Sequence, residues 1–235
     1  MRLRSLTLAL LLASASATAF AGALSIPPAN PADPLLHVPS SWRVGPEGTP
    51  LDASSLKTLG TGDVLSALLE IKDNPVKKGV AIGIVDGSPA KVLATCSDFE
   101  HFPDFMPYIA KINVDERGDH TATVSYWLEF PLGIGNRNYQ LKLNDGTKTL
   151  DGEKVYFSEW TYTGKGNIKD TSGSWEIAPW GDGTKSFVRY TVLTDPGGSL
   201  PTWAKNKAAS VALPKVVKKV QDRVKSPNAA KPVEF

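Results

Sequence analysis

The feature that most constrains this chain is a strand, a glycine turn and a one-sided helix in immediate succession near its C-terminus. Phe187-Val188-Arg189-Tyr190-Thr191-Val192-Leu193 has the β-branched and aromatic content of a strand. It stops at Pro196-Gly197-Gly198, where glycines reach backbone angles that a Cβ resists. Beyond that turn Leu213, Val216, Val217, Val220 and Val224 recur at steps of three and four, so the helix has one apolar stripe. Lys215, Lys218, Lys219 and Arg223 fall off the stripe. The strands upstream also alternate, so each has one apolar face to bury. A curved antiparallel sheet wrapped around this long C-terminal helix buries both and belongs to the α+β class. A cavity is expected between the two.

The chain opens with Arg2 and Arg4, an apolar run from Leu6 to Leu12, and Ala19-Phe20-Ala21 as a small-x-small cleavage site. This pattern reads as an export signal over residues 1–21 and implies a periplasmic or secreted protein. The apolar run is too short to span a membrane. With no cysteine near the cleavage site, no lipid anchor is expected there. Removing the signal takes two arginines from the 26 basic residues and leaves 24 against 24 acidic ones. A mature charge near zero argues against a nucleic-acid partner. Cys96 is the only cysteine, so no intramolecular disulfide forms. On the Val92, Leu93, Cys96 face of a helix it reads as a buried structural thiol.

Residues 22–62 are rich in proline and small residues and read as an extended arm or linker, with a short helix over Ser54–Leu59. The ligand-binding domain is expected over residues 63–225, with residues 226–235 as a tail. Its first strand lies in Asp63–Lys72 and its second in Gly79–Asp86, joined by a turn at Asp73-Asn74-Pro75. Ser88-Pro89 starts a helix running to about Asp98, with the serine as cap. The aromatic, proline-broken Phe99–Pro107 reads as a short helix or loop. Alternation then marks strands in Lys111–Asp115, Thr121–Phe130, Arg137–Asn144 and Glu153–Thr163, another starting at Gly173, and the last at Phe187–Thr194. Gly118-Asp119, Asp145-Gly146 and Gly181-Asp182-Gly183 read as hairpin turns. Gly133-Ile134-Gly135 and Gly164-Lys165-Gly166 read as turns between strands, since no helix follows either. Pro214 removes one backbone donor inside the last helix, and a kink is expected near Ala212–Leu213.

Few residues invite chemistry. His37, His101 and His120 lack partners at metal-ligand or catalytic-triad spacing. Arg137 shares its parity with Tyr139, Leu141 and Leu143 and so points inward. It either sits at the exposed start of its strand, pairs with an acid, or orients the polar head of a ligand. Tyr126, Tyr139, Trp160, Trp175, Tyr190 and Trp203 serve either as plain core or as the lining of a cavity with polar tips.

Four segments carry a resemblance to a known family. They are Ile84–Val92, Asp98–Pro107, Asn136-Arg137-Asn138-Tyr139, and Tyr190–Asn206 with its Gly-x-Leu-Pro turn. In this order they resemble the START domain family of lipid-binding and lipid-transfer proteins, within the helix-grip superfamily. Asn138 stands where the family usually has an acid, and Leu143 where some sterol-binding members have a second arginine. The resemblance implies a helix-grip fold, a hydrophobic tunnel under the C-terminal helix, one lipid or sterol-like molecule per domain, and no cofactor. A monomer making transient membrane contact through its basic helix face is expected. The ligand-lining residues expected are Tyr126, Arg137, Tyr139, Leu141, Trp160, Trp175, Tyr190 and Trp203. The alternative is a polyketide cyclase or aromatase using the same pocket. It needs an internal acid or base, for which Glu159, His101 and Tyr139 are the candidates.

Overall fold

A computed structural model describes residues 33–130 and 135–232; the leader read in residues 1–21 and the arm up to residue 32 lie outside the described residues. A short helix, α1 (Ala53–Gly60), precedes the hairpin β1 (Leu65–Ile71) and β2 (Asn74–Val85). Helices α2 (Pro89–Cys96) and α3 (Phe102–Phe105) follow, separated by a 3-10 turn at Phe99–His101. Six strands come next: β3 (Ile109–Arg117), β4 (Thr121–Leu128), β5 (Arg137–Leu150), β6 (Glu153–Gly166), β7 (Asp170–Trp180) and β8 (Lys185–Asp195). The chain closes with α4 (Thr202–Lys225).

All eight strands form one antiparallel sheet in the order β1-β2-β8-β7-β6-β5-β4-β3. From β3 to β8 each strand pairs with the next in sequence, and β8 returns to β2. The one long connection carries the chain from β2 to the far edge through α2 and α3. Alternation therefore sorts side chains to two faces, as the sequence pattern requires. The inner face, covered by α2, α3 and α4, holds one large apolar cluster that includes Val124, Tyr126, Leu141, Leu143, Trp160, Trp175 and Val188.

The stripe of α4 behaves as its spacing predicts: Leu213, Val217, Val220 and Val224 are buried. It nests against the glycines of β2 and the turn after it. A Cβ on Gly79 would stand 2.6 Å from Leu213 Cδ2, one on Gly83 2.9 Å from Val217 Cγ1, and one on Gly87 2.6 Å from Val224 Cγ1. Side chains there would hold the helix off the sheet. Gln221 fastens the contact by donating to the carbonyls of Ile84 (2.8 Å) and Gly62 (3.2 Å). Pro214 lies inside α4 without interrupting it.

Several expectations need correcting. Asp145-Gly146 is not a turn; it lies within β5, and the chain reverses at Asp151-Gly152, both with positive φ. Two Asp-Gly pairs six residues apart gave the same local signal. Gly146 serves packing instead, because a Cβ there would meet the Phe157 ring at 3.0 Å. Gly164-Lys165-Gly166 likewise belongs to the end of β6, where Gly166 pairs with Tyr139. Residues 133 and 134 lie outside the described residues. The arm is not a free surface segment over residues 33–62. Leu35, Val38, Trp42 and Leu59 are buried with Ile82, Ile84, Val155, Ala178 and Phe187 in a second core on the outer face. Helix α2 starts at Pro89 but ends at Cys96, and Ser88 makes no side-chain cap bond.

Candidate functional site

Parity brings six of the eight expected residues to one place. Tyr126 (β4), Tyr139 and Leu141 (β5), Trp160 (β6), Trp175 (β7) and Tyr190 (β8) all belong to the inner cluster. Cross-strand register makes them neighbours: Tyr126 lies opposite Tyr139, and Trp175 opposite Tyr190. Tyr126–Tyr139 and Trp160–Tyr190 stack with ring centroids 5.4 and 5.8 Å apart, and Trp175 meets Tyr190 at a tilt with centroids 4.4 Å apart. Gly173, across from Trp160, makes room for the indole, since any Cβ there would collide with its ring.

This aromatic band is not a sealed block. Tyr139, Tyr162, Tyr190 and Val192 pack against the buried cluster yet keep part of their surface accessible. They therefore border space that a water molecule can reach. Burial pushes the phenol pKa of Tyr126, Tyr139 and Tyr190 well up. None of those three hydroxyls is among the buried side-chain atoms that lack a hydrogen-bond partner in the described residues, which fits their bordering accessible space. An open cleft of about 320 Å³ is lined by Lys142, Leu143, Glu159, Trp160 and Gly173 and so reaches the Trp160 end of this band; another, of about 430 Å³, lies on the outer face around Trp42 and Arg189.

Arg137 and Trp203 are placed otherwise than expected. The Arg137 guanidinium donates from Nε to Pro196 O at 2.7 Å and from Nη1 to Asn136 O at 3.0 Å. The Pro196 carbonyl of the turn before α4 and the carbonyls just ahead of β5 meet its charge, so it clamps that turn to the start of β5. Asp195 secures the same turn through Lys205 Nζ at 2.7 Å and the Gly197 N–H at 3.0 Å. Burial raises the Asp195 pKa, but these bonds outweigh it and leave the carboxyl below its ordinary value. Gly197 and Gly198 both take positive φ there, as the glycine pair predicts. Trp203, in the first turn of α4, is 73% exposed and lines nothing in the interior.

The acid–base candidates do not converge. Glu159 is exposed on the outer face beside Asn144, and His101 is exposed and bonded to Asp98. Only Tyr139 faces inward. Among the described residues no group of His, Cys, Asp and Glu is arranged to hold a metal ion. No described helix is long and apolar enough to cross a membrane. The basic face of α4 is also reduced. Lys218 donates to Gly62 O at 2.6 Å, and Arg223 is buried against Asp98 and the Phe105 ring. Lys215 and Lys219 remain exposed. Sequence reasoning passed over the glycines that seat α4, although Gly79-x-x-x-Gly83 puts both on one face of a strand.

A family model described as polyketide cyclase/dehydrase and lipid transport matches residues 83–226. The chain is 25% identical over 182 residues to the mouse phosphatidylcholine transfer protein, covering 72% of this chain and 78% of that protein. Among solved structures it resembles a STAR-related lipid transfer protein fragment from Xanthomonas axonopodis (TM-score 0.62, 17% identity, 70% of this chain and 94% of that one). It also resembles the lipid transfer and protein localization domain of human StarD13 (TM-score 0.58, 19% identity, 71% and 86%). These likenesses bear out the START-type helix-grip fold.

Proposed function

Because the chain belongs to the polyketide cyclase/dehydrase and lipid transport family, we propose that it binds one hydrophobic molecule inside the grip and carries or senses it without chemical change. The observation that carries this reading is the inner aromatic band, in which Tyr139 and Tyr190 pack on the buried cluster and keep part of their surface accessible. Tyr126, Tyr139, Leu141, Trp160, Trp175 and Tyr190 supply apolar surface for a ligand, and the phenols hydrogen-bond its polar atoms. Burial of apolar surface at about 25 cal/mol per Å² supplies affinity; the hydroxyls set orientation. Arg137 holds the mouth together rather than touching the ligand. The similarity to a phosphatidylcholine transfer protein supports a lipid as the class of ligand.

The leader motif supports export to the periplasm or beyond, and the protein works as a monomer in this reading. Exposed Trp203 and Val211 on α4, near Lys215 and Lys219, are the surface that meets a membrane while the ligand is exchanged. Native mass spectrometry of the purified full chain, followed by solvent extraction, tests the central claim. A bound or bindable hydrophobic molecule at one per chain is expected. A chain that takes up none, from cells or from vesicles, overturns it.

A further inference from the structure

The outer face of the sheet carries a second concave region, on the far side of β8 from the aromatic band. Register places Glu176 (β7) opposite Arg189 (β8), and Ser174 opposite Thr191. Lys78 on β2 shares the parity of Ile82, which pairs with Arg189 and packs in the outer core. The 3-10 turn Ser40–Trp42 forms the remaining wall. Asp151, where β5 turns into β6, fixes that wall: its Oδ2 accepts from the Ser41 N–H at 2.7 Å and from Ser40 Oγ at 3.0 Å. Buried Trp42 roots the wall in the outer core. Together these residues line the open cleft of about 430 Å³.

The charges in this cleft do not cancel. Glu176 is committed to Lys148, whose Nζ lies 2.9 Å from its carboxylate. Its register partner Arg189 is half-buried yet forms no ion pair among the described residues, and neither does exposed Lys78. A half-buried guanidinium presents five N–H donors in a fork that matches carboxylate or phosphate oxygens. Ser174 Oγ and Thr191 Oγ1 lie 2.8 Å apart, so one hydroxyl proton serves that bond and the other is left to donate elsewhere. Ser41 adds a third hydroxyl. We propose that this cleft binds a phosphate monoester, independently of the hydrophobic ligand on the inner face. A monoester carries close to two negative charges at neutral pH and three strong acceptor oxygens. The Arg189 fork meets two of them, Lys78 supplies the second positive charge, and the hydroxyls donate to the rest. A carboxylate has two oxygens and one charge, and leaves part of this donor set unanswered. The volume exceeds what a bare phosphate fills and leaves room for a small ester alcohol.

Isothermal titration calorimetry of the full chain with glycerol 3-phosphate, at constant ionic strength and neutral pH, reads the site. One molecule per chain is expected, bound about tenfold or more tightly than acetate. Arg189→Gln should weaken binding about tenfold or more, and Lys78→Gln about threefold. Glu176→Gln removes a like charge and should tighten it. Displacement of the uncharged dye Nile red by dodecan-1-ol reads the interior, and all three variants should leave it unchanged. Vesicles of phosphatidylcholine with and without phosphatidate separate two sources of the same group. Sedimentation with the phosphatidate vesicles that Arg189→Gln abolishes assigns a lipid headgroup; glycerol 3-phosphate binding without it assigns a soluble ester. A wild type that binds neither, or an Arg189→Gln chain that binds as the wild type does, overturns the site and leaves the carrier reading standing. Acetate bound as tightly as glycerol 3-phosphate overturns the phosphate assignment. A wild type that takes up no dye overturns the carrier reading alone.

Discussion

The seat of α4 on β2 can be tested by asking whether Gly79 and Leu213 are complementary. Gly79 has negative φ, so alanine fits its backbone, and in an open strand position that change would stabilise by about 0.5–1 kcal/mol. Here the new methyl would stand 2.6, 2.9 and 3.2 Å from Cδ2, Cδ1 and Cγ of Leu213. Rotating χ2 does not clear it, because the whole fork fills the space. Gly79→Ala should therefore cost about 1–3 kcal/mol by overpacking. Leu213→Ala removes a side chain that is 3% exposed and should cost about 2–5 kcal/mol. In the double variant the alanine methyl at position 79 occupies part of the space the leucine vacates. Its loss should fall short of the sum of the two single losses by about 1–3 kcal/mol. Urea unfolding of the wild type and the three variants, followed by far-ultraviolet circular dichroism, gives all four free energies. Additivity within about 0.5 kcal/mol would refute the contact as the seat of the helix.

Trp203→Ala should leave the urea midpoint within about 0.5 kcal/mol of wild type and dye displacement unchanged, because the side chain is largely exposed. A loss of soluble-ligand affinity would contradict its placement outside the interior. Tyr139→Ala should weaken ligand capture about tenfold or more while leaving a folded chain, since it removes a stacked ring and a hydroxyl from the band; unchanged binding counts against the band as the site. The depressed Asp195 carboxyl contributes stability that is present above the unfolded-state pKa of about 3.9 and disappears as pH falls through its lower folded value. Asp195→Asn should thus lose stability at pH 7 and show a flatter acid limb below about pH 4. An identical pH profile would remove Asp195 from the turn. Buried Cys96, its thiol pKa raised by burial, should react with a thiol reagent only after unfolding in denaturant. Rapid labelling of the native protein would contradict that burial.

Much of the fold was legible wherever one face of an element alternates cleanly. The parity of β4 and β5 put Tyr126, Tyr139 and Leu141 inside, and the three- and four-residue steps of α4 selected the residues that are buried. What failed has physical causes. Trp203 was assigned to the pocket for its aromatic character rather than for its place on the helix stripe. Arg223 counted as a surface charge, but the turn after α2 brings Asp98 against it, a contact 125 residues apart in sequence. Leu35, Val38 and Trp42 show no period because they fill gaps on the outer face from irregular chain. Arg137 reads from the sequence as lying at an exposed strand start, pairing with an acid or orienting a ligand; it finds a carbonyl instead because the turn at Pro196 comes to it from 59 residues away in sequence. The Asp-Gly pair at Asp145 imitates a turn, while its place within β5 is fixed by register with a different strand.

The pairing of β2 with β8 has a consequence for how such a chain comes into being. Gly79 finds Val192, and the groove it offers to α4 is filled only by residues from Leu213 onward. During synthesis the first hairpin must wait, one side of its second strand unpaired, until almost the entire polypeptide has emerged. Assembly of this architecture is therefore a terminal event, dominated by contacts distant in sequence and slow to close. Prematurely ended products keep an adhesive strand border that invites self-association.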